Sequence, residues 1–250
     1  KFSNGAALVF GGSGGLGTGI VNLLAESGSD VAFTYYKNKE SAENNLKNIE
    51  GIGRNGLIGS VDLLEMSNVQ SFVNEAKEKF GRIHSVIFAT GPFLHIMPVL
   101  EAKPEDVYYT LDADIKGFYH VLRAVVPALK EGGGGSITAL TTAAIHKYIS
   151  TDGLSSIPKA GVQHLCTAIA REEGHHGIRA NCVAVGLIAV GISQAIVSPP
   201  GWILVQWMNQ VPLGRAGDPQ ELFDAVVFLA SDNAGYISGQ SLPVDGGYSG

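Results

Sequence analysis

Ala6-Ala7-Leu8-Val9-Phe10-Gly11-Gly12-Ser13-Gly14-Gly15-Leu16-Gly17 is the stretch that decides the fold. Five apolar residues in succession, without polar alternation, read as a short strand buried on both faces. A glycine-rich turn follows, and residues 16–27 read as a helix. Such a turn lets a backbone approach a pyrophosphate closely, while the helix N-terminus offers unpaired N–H groups and the positive end of its dipole. Gly11, Gly15 and Gly17 take the three critical places, and Ser13, Gly14 and Leu16 complete the candidate phosphate-facing set. A glycine set alone has many false matches, so its weight depends on whether the rest of the chain continues the pattern.

It does. Apolar runs at Ala6–Phe10, Val31–Tyr35, Leu57–Val61, Ser85–Ala89, Ser136–Leu140, Ile178–Val185 and Ser241–Val244 alternate with helix-like segments near 16–27, 40–50, 67–80, 104–130, 153–175 and 218–230. Apolar strands separated by helices predict an α/β Rossmann fold: a doubly wound, mostly parallel, seven-stranded sheet with helices on both faces. No repeat or long linker divides the chain, so residues 1–250 are expected to form a single domain. The segment 187–211 breaks the rhythm, with Ile188, Val190, Ile192, Ile196, Trp202, Leu204, Trp207 and Met208 around Pro199-Pro200-Gly201. An excursion after the sixth strand would lie beyond the carboxyl ends of the strands, where ligands bind in such sheets, so it is expected to be a substrate lid. A subunit contact or plain core packing is the alternative reading.

Composition narrows the partners. Apolar residues make up 45% of the chain and the net charge is −6, which supports a sizeable core and argues against nucleic-acid or anionic-membrane partners. Cys166 and Cys182 fit neither a metal site nor a disulfide framework, so a reduced, cytoplasmic protein without a metal is expected. His175 and His176, beside Glu172 and Glu173, lack further ligands and read as a structural pair. No apolar stretch approaches the roughly 20 residues that span a bilayer. The chain starts at Lys1, which leaves a removed N-terminal segment open.

Taken together, the motifs resemble the short-chain dehydrogenase/reductase family, and most closely its 3-oxoacyl-carrier-protein reductase-like branch. The glycine turn matches the family's T-G-x-x-x-G-[IL]-G with Phe10 for threonine. Asp62-Leu63 matches the pair that contacts adenine, and Ile178-Arg179-Ala180-Asn181 resembles the sixth strand. Pro212-Leu213-Gly214-Arg215, Phe228-Leu229-Ala230-Ser231 and Val244-Asp245-Gly246-Gly247 match the C-terminal signature. The resemblance implies a dinucleotide held along the strand ends, with Ala89, Gly91, Gly186, Ile188 and Lys159 beside it. Its preference is argued from charge. An NAD enzyme usually ends its second strand in an acid that holds the ribose 2′-hydroxyl, whereas Tyr35-Tyr36-Lys37-Asn38-Lys39 has none. Lys37 can pair with a 2′-phosphate and Tyr36 can stack on adenine, which favours NADPH over NADH. The alternative is that both lysines are solvated loop charges.

The chemical positions depart from the family. Its proton donor is a tyrosine four residues before a lysine, with a serine that orients the substrate oxygen and an asparagine behind the lysine. Here the matching residues are Ser155, Lys159, Thr142 and Asp114. Thr142 keeps a hydroxyl and Asp114 keeps hydrogen-bonding capacity. Ser155 is shorter than a phenol and far too weak an acid to replace one. His146 and Tyr148 are candidate substitutes, with His95 on the loop after the fourth strand and Asp152 as a weaker one; each has the plain alternative of a partly exposed loop side chain. Phe88-Ala89-Thr90-Gly91, Val185-Gly186 and Pro158 depart from the family too, a pattern of diverged function.

The leading expectation is therefore an NADPH-dependent reductase acting on a carbonyl or imine of a small apolar compound, with a non-standard proton donor. An iminium substrate would need hydride alone. The alternatives are an NADP-binding isomerase, lyase or cyclase using Asp114, His146 or Asp152, and a non-catalytic NADP(H) sensor. A homo-oligomer, dimer or tetramer, is also expected, paired through residues 104–130 and 153–175 and the C-terminal strand region. Leu111, Ile115, Phe118, Leu122 and Val125 form an apolar stripe whose division between sheet and partner sequence leaves open.

Overall fold

The computed structural model describes residues 2–92, 96–190 and 207–250. Its strands are β1 (Ala6–Phe10), β2 (Asp30–Tyr35), β3 (Gly56–Ser60), β4 (Ile83–Phe88), β5 (Gly135–Thr142), β6 (Ile178–Val185) and β7 (Ser241–Val244). They form one seven-stranded sheet in the order β3-β2-β1-β4-β5-β6-β7, every pair parallel. The helices are α1 (Gly15–Glu26), α2 (Lys39–Gly51), α3 (Met66–Phe80), α4 (Pro104–Leu111), α5 (Gly117–Glu131), α6 (Gly153–Glu172) and α7 (Pro219–Ala230).

The period-two geometry of a strand explains the double layer. Leu8 and Phe10 of β1 join Val86 and Phe88 in a core shared with α3, α5 and α6. Ala7 and Val9 point to the other face and join Ile20, Leu24, Phe223 and Val226 of α1 and α7. A strand buried on both faces needs apolar residues at every position, which is why β1 reads as an unbroken run.

Two departures from the sequence reading have physical causes. β4 begins at Ile83 because His84 is accommodated inside the core, its ring nitrogens bonded to Ser29 Oγ at 3.1 Å and Ser85 Oγ at 2.9 Å. Burial, reinforced by Arg82, holds this imidazole down to about 4, so it is neutral. The expected helix 104–130 is three pieces, because a π-helical turn at Asp112–Lys116 separates α4 from α5. The apolar stripe of that region is largely spent inside: Phe118, Leu122 and Val125 are buried. Ile115 faces α6, where a Cβ on Gly161 would come within 2.7 Å of its Cδ1. The large hydrophobic side chains that α4 and α5 leave exposed are Tyr108, Tyr109 and Tyr119.

Of the expected lid, Leu187 and Ile188 are buried, and Val211 packs with Ala143, Tyr248 and Ile149. Ile192, Ile196, Pro199, Pro200, Gly201, Trp202 and Leu204 lie outside the described residues, as does His95. Cys166 and Cys182 are free, buried neighbours; the hydrogen bond to Cys182 and burial hold the Cys166 thiol well above its usual range.

Candidate active site

The crevice opens where the strand order reverses, between β1 and β4. Phe10 is registered against Phe88, and the chain leaves the two strands into the glycine turn and into Ala89-Thr90-Gly91. The two segments touch. Gly11 has φ +89°, and a Cβ there would lie 2.8 Å from Thr90 Cγ2 and 2.9 Å from the Ala89 carbonyl oxygen. A Cβ on Gly17 would lie 2.0 Å from the Gly11 carbonyl oxygen, so α1 starts in backbone contact with the turn.

The turn is braced from below. Gly11 N–H donates to Thr34 Oγ1 at 3.1 Å and Gly12 N–H to Thr34 O at 2.9 Å. Asn45 Nδ2 donates to Gly12 O at 3.0 Å, and Ser41 Oγ to Ser13 O at 3.1 Å. Gly14 and Gly15 remain exposed at the mouth, with Leu16 half-buried behind them. The N-cap Gly14 supplies no side-chain cap and the first turn of α1 has no acid. An uncapped, acid-free helix start lined by glycines has the shape and polarity that fit a dinucleotide pyrophosphate.

Along the crevice, Tyr36 is 60% exposed and Lys37 Nζ lies 5.5 Å from its ring centre, with Tyr35 half-buried beside them. Asp62 accepts the Leu64 N–H at 2.9 Å, and the Leu63 carbonyl accepts from His120 Nδ1 at 2.8 Å. His120 thus fixes the Asp62-Leu63 corner from α5, a role its sequence context does not signal. Gly186 lies under β7, where a Cβ would come within 2.5 Å of Asp245 Cα. Ile188 pairs with Gly217, and its side chain is spent on the core beside α1 and α7.

At the crevice floor Lys159 Nζ donates to Thr90 O and to Asp114 Oδ1, both at 2.8 Å. Asp114 projects from the π turn and its side chain is 1% exposed. Burial raises its carboxyl above the usual range, against the opposing pull of Lys159. Its Oδ2 and the Thr90 Oγ1 are buried without hydrogen-bond partners among the described residues. Gly91 lies beside the same ammonium, a Cβ there standing 3.7 Å from Nζ.

The chain is similar to known proteins over nearly its whole length. Residues 11–249 match the family model described as enoyl-(acyl carrier protein) reductase. The chain is 31% identical over 246 residues to the NADP-dependent mannitol dehydrogenase of Hypocrea jecorina, covering 96% of this chain and 91% of that one. It is also 31% identical over 248 residues to a 3-oxoacyl-(acyl-carrier-protein) reductase of Staphylococcus epidermidis, covering 98% of each. This chain belongs to the short-chain dehydrogenase/reductase family. A solved short-chain dehydrogenase/reductase of Mycobacterium ulcerans superposes with a TM-score of 0.94 at 26% identity, covering 100% of this chain and 91% of that one.

Against the pattern of short-chain dehydrogenases/reductases, the remaining site residues fall into two groups. Thr142 ends β5 and accepts the Ala144 N–H at 3.2 Å, while Ser155 stands half-buried one turn of α6 before Lys159. Ser155 and Lys159, four residues apart on α6, share one face of that helix. His146 does not join them: it is exposed and its Nε2 is bonded to Ser241 Oγ at 3.0 Å on the edge strand. Tyr148 is 59% exposed, its hydroxyl lying over Gly153 at the start of α6. Two residues gain importance. Asp152 precedes α6, and burial pushes its carboxyl up to about 7. Tyr248 is buried against Ala143 and Val211, with Lys147 Nζ 4.6 Å from its ring centre and bonded to its carbonyl at 3.1 Å. Its place directly after Gly246-Gly247 was the one sequence signal for it.

Proposed function

We propose that this protein is an NADPH-dependent reductase of a carbonyl or imine group in a small apolar compound. The carrying observation is the Lys159–Asp114–Thr90 cluster set beneath an acid-free glycine crevice. The exposed backbone at Gly14 and Gly15 would hold the pyrophosphate, and the Asp62-Leu63 corner the adenine. Tyr36 and Lys37, with no acid ending β2, form a cationic aromatic corner suited to a 2′-phosphate. A bound nicotinamide would supply hydride. Lys159 would hold the nicotinamide ribose, and the Thr142 hydroxyl would orient the substrate heteroatom. Ser155 leaves the donor place of the family without an adequate acid.

The sequence span supports a single catalytic domain, and the tyrosines exposed on α4 and α5 suit a self-associating surface. Two free, buried cysteines suit a reducing cytoplasm.

Calorimetric titration tests the cofactor reading. NADPH is expected to bind at least tenfold tighter than NADH, and Lys37→Glu to erase that preference. Loss of NADPH absorbance with a carbonyl or iminium compound tests the reaction. The second reading, a non-redox isomerase or lyase, is favoured by the neutral-range carboxyl of Asp152; it would consume substrate with NADPH unchanged.

A further inference from the structure

We propose that Asp152 is the proton donor of this site, the carboxylic acid that protonates the substrate oxygen as a carbonyl is reduced. The proposal rests on the reductase reading and supplies the acid that Ser155 lacks.

Position comes first. Asp152 stands seven residues before Lys159, nearly two full turns, so the direction of α6 brings both to one face with Ser155 between them. The separation along the helix is about 10.5 Å. In the proposed arrangement the substrate carbonyl binds in that interval, between the acid and the Lys159 ammonium.

The local backbone then withholds this carboxyl from its ordinary task. Aspartate is among the preferred N-cap residues because its carboxylate accepts the first free N–H groups of a helix. Here Asp152 occupies the N-cap without any side-chain cap bond. The Ser155 N–H, an ordinary capping donor, goes instead to its main-chain carbonyl at 3.1 Å, which also accepts the first helical bond from Ser156 N–H at 2.9 Å and a bond from Ser156 Oγ at 3.0 Å. The preceding residue, Thr151, has φ +73°, a left-handed conformation that a β-branched side chain strongly disfavours. The Met97 N–H holds it there by donating to the Thr151 carbonyl at 3.1 Å. Backbone strain spent next to an unpaired acid fits a site where direction matters more than stability.

The surroundings raise the acid, so that it holds a proton for part of the time at neutral pH. Its carboxyl has no hydrogen-bond partner among the described residues, and burial alone accounts for its displacement into the neutral range. Tyr248, which packs on Ala143 next to Thr142, feels the Asp152 charge; burial first, then Asp152 and Asp245, push its phenol upward and away from acid duty. Lys147 is engaged with Tyr248, Tyr148 lies exposed over Gly153, and Lys159 is committed to Asp114 and Thr90. Among these groups Asp152 is the carboxyl that burial raises into the neutral range without a hydrogen-bond partner among the described residues.

In the proposed step hydride adds to the carbonyl carbon and the C=O π pair moves to oxygen. That oxygen takes the proton of the Asp152 carboxyl, whose O–H bond breaks to leave a carboxylate. NADPH is oxidised to NADP+, the carbonyl is reduced to an alcohol, and the carboxylate recovers its proton from solvent.

The test compares wild type, Asp152→Asn and Asp152→Glu on two probes with NADPH: 1-phenyl-1,2-propanedione, which needs hydride and a proton, and N-methyl-3,4-dihydroisoquinolinium, which needs hydride alone. Asp152→Asn is expected to lose about 100-fold or more in kcat/KM on the diketone. It should change less than about threefold on the iminium, because no general acid is required there. Asp152→Glu should recover part of the diketone activity. Independently of turnover, carbon-13 NMR of protein labelled at the aspartate carboxyl carbons, with NADP+ bound, should show one resonance titrating near neutral pH that is missing in Asp152→Asn. Equal loss on both probes, unchanged diketone reduction, or an Asp152 resonance titrating near pH 4 overturns the assignment. A wild type that reduces neither probe overturns the reductase reading and this assignment with it. A wild type that reduces both, with Asp152→Asn unimpaired, overturns the assignment alone.

Discussion

Replacing Lys159 by methionine isolates the energetics of the crevice floor. The Asp114 carboxylate is 1% exposed, its Oδ1 is held by Lys159 at 2.8 Å and its Oδ2 has no hydrogen-bond partner among the described residues. At that separation, with an effective dielectric constant of about 20, the attraction forfeited is about 6 kcal/mol. The carboxylate need not stay charged, however. Taking up a proton at pH 7 against a reference value near 3.9 costs about 4 kcal/mol, and this sets the ceiling on the loss. Burial already raises Asp114 in the wild type, which keeps the true loss below that ceiling. The sign of the pH dependence follows directly. In Lys159→Met the folded state holds a proton that the unfolded state has released, so stability falls by up to about 1.4 kcal/mol per unit as pH rises above 4. At pH 5 the same ceiling is only about 1.5 kcal/mol. The double variant Asp114→Asn/Lys159→Met removes both charges and is expected within about 1 kcal/mol of wild type. Urea denaturation from pH 5 to 8 measures all three proteins. A loss in Lys159→Met that does not grow with pH, or a double variant no more stable than the single one, would refute the reasoning.

Other consequences follow from the same geometry. Gly17→Ala places a methyl 2.0 Å from the Gly11 carbonyl oxygen, so NADPH affinity should fall at least tenfold in calorimetry and the thermal midpoint should drop; unchanged binding would contradict the tight turn. His84 is buried neutral, with its imidazole depressed from the ordinary 6.5 to about 4. Its contribution is fully present above pH 6.5 and is lost as pH falls towards 4, by about 3 kcal/mol in total, and His84→Gln should flatten that limb of a urea-stability profile against pH. Lys37→Glu should leave the unfolding free energy within about 0.5 kcal/mol of wild type while erasing the NADPH preference, because Lys37 is exposed.

How much of the site could be read in sequence depends on the kind of signal each residue leaves. The seven strands were legible to within a few residues because burial on both faces demands consecutive apolar residues. His84 escaped because a polar residue satisfied by Ser29, 55 positions away, leaves no local trace. The π turn escaped for a related reason: its sequence carries the same helical periodicity as α4 and α5. Lys159 and Asp114 were each identifiable through the family resemblance, but the contact between them spans 45 residues and exists only after α6 docks beside the π turn.

The sequence by itself determined the layered sheet, the glycine turn and the absence of an acid at the end of β2, because these rest on residue type, periodicity and spacing. Tertiary structure decided which polar residues face the crevice. It turned His146 to Ser241, left Tyr148 exposed, buried Tyr248 against Ala143, set Thr151 in a left-handed conformation and left Asp152 without a side-chain cap bond. Those outcomes depend on where segments distant in sequence converge, and on the desolvation that convergence imposes on an ionisable group.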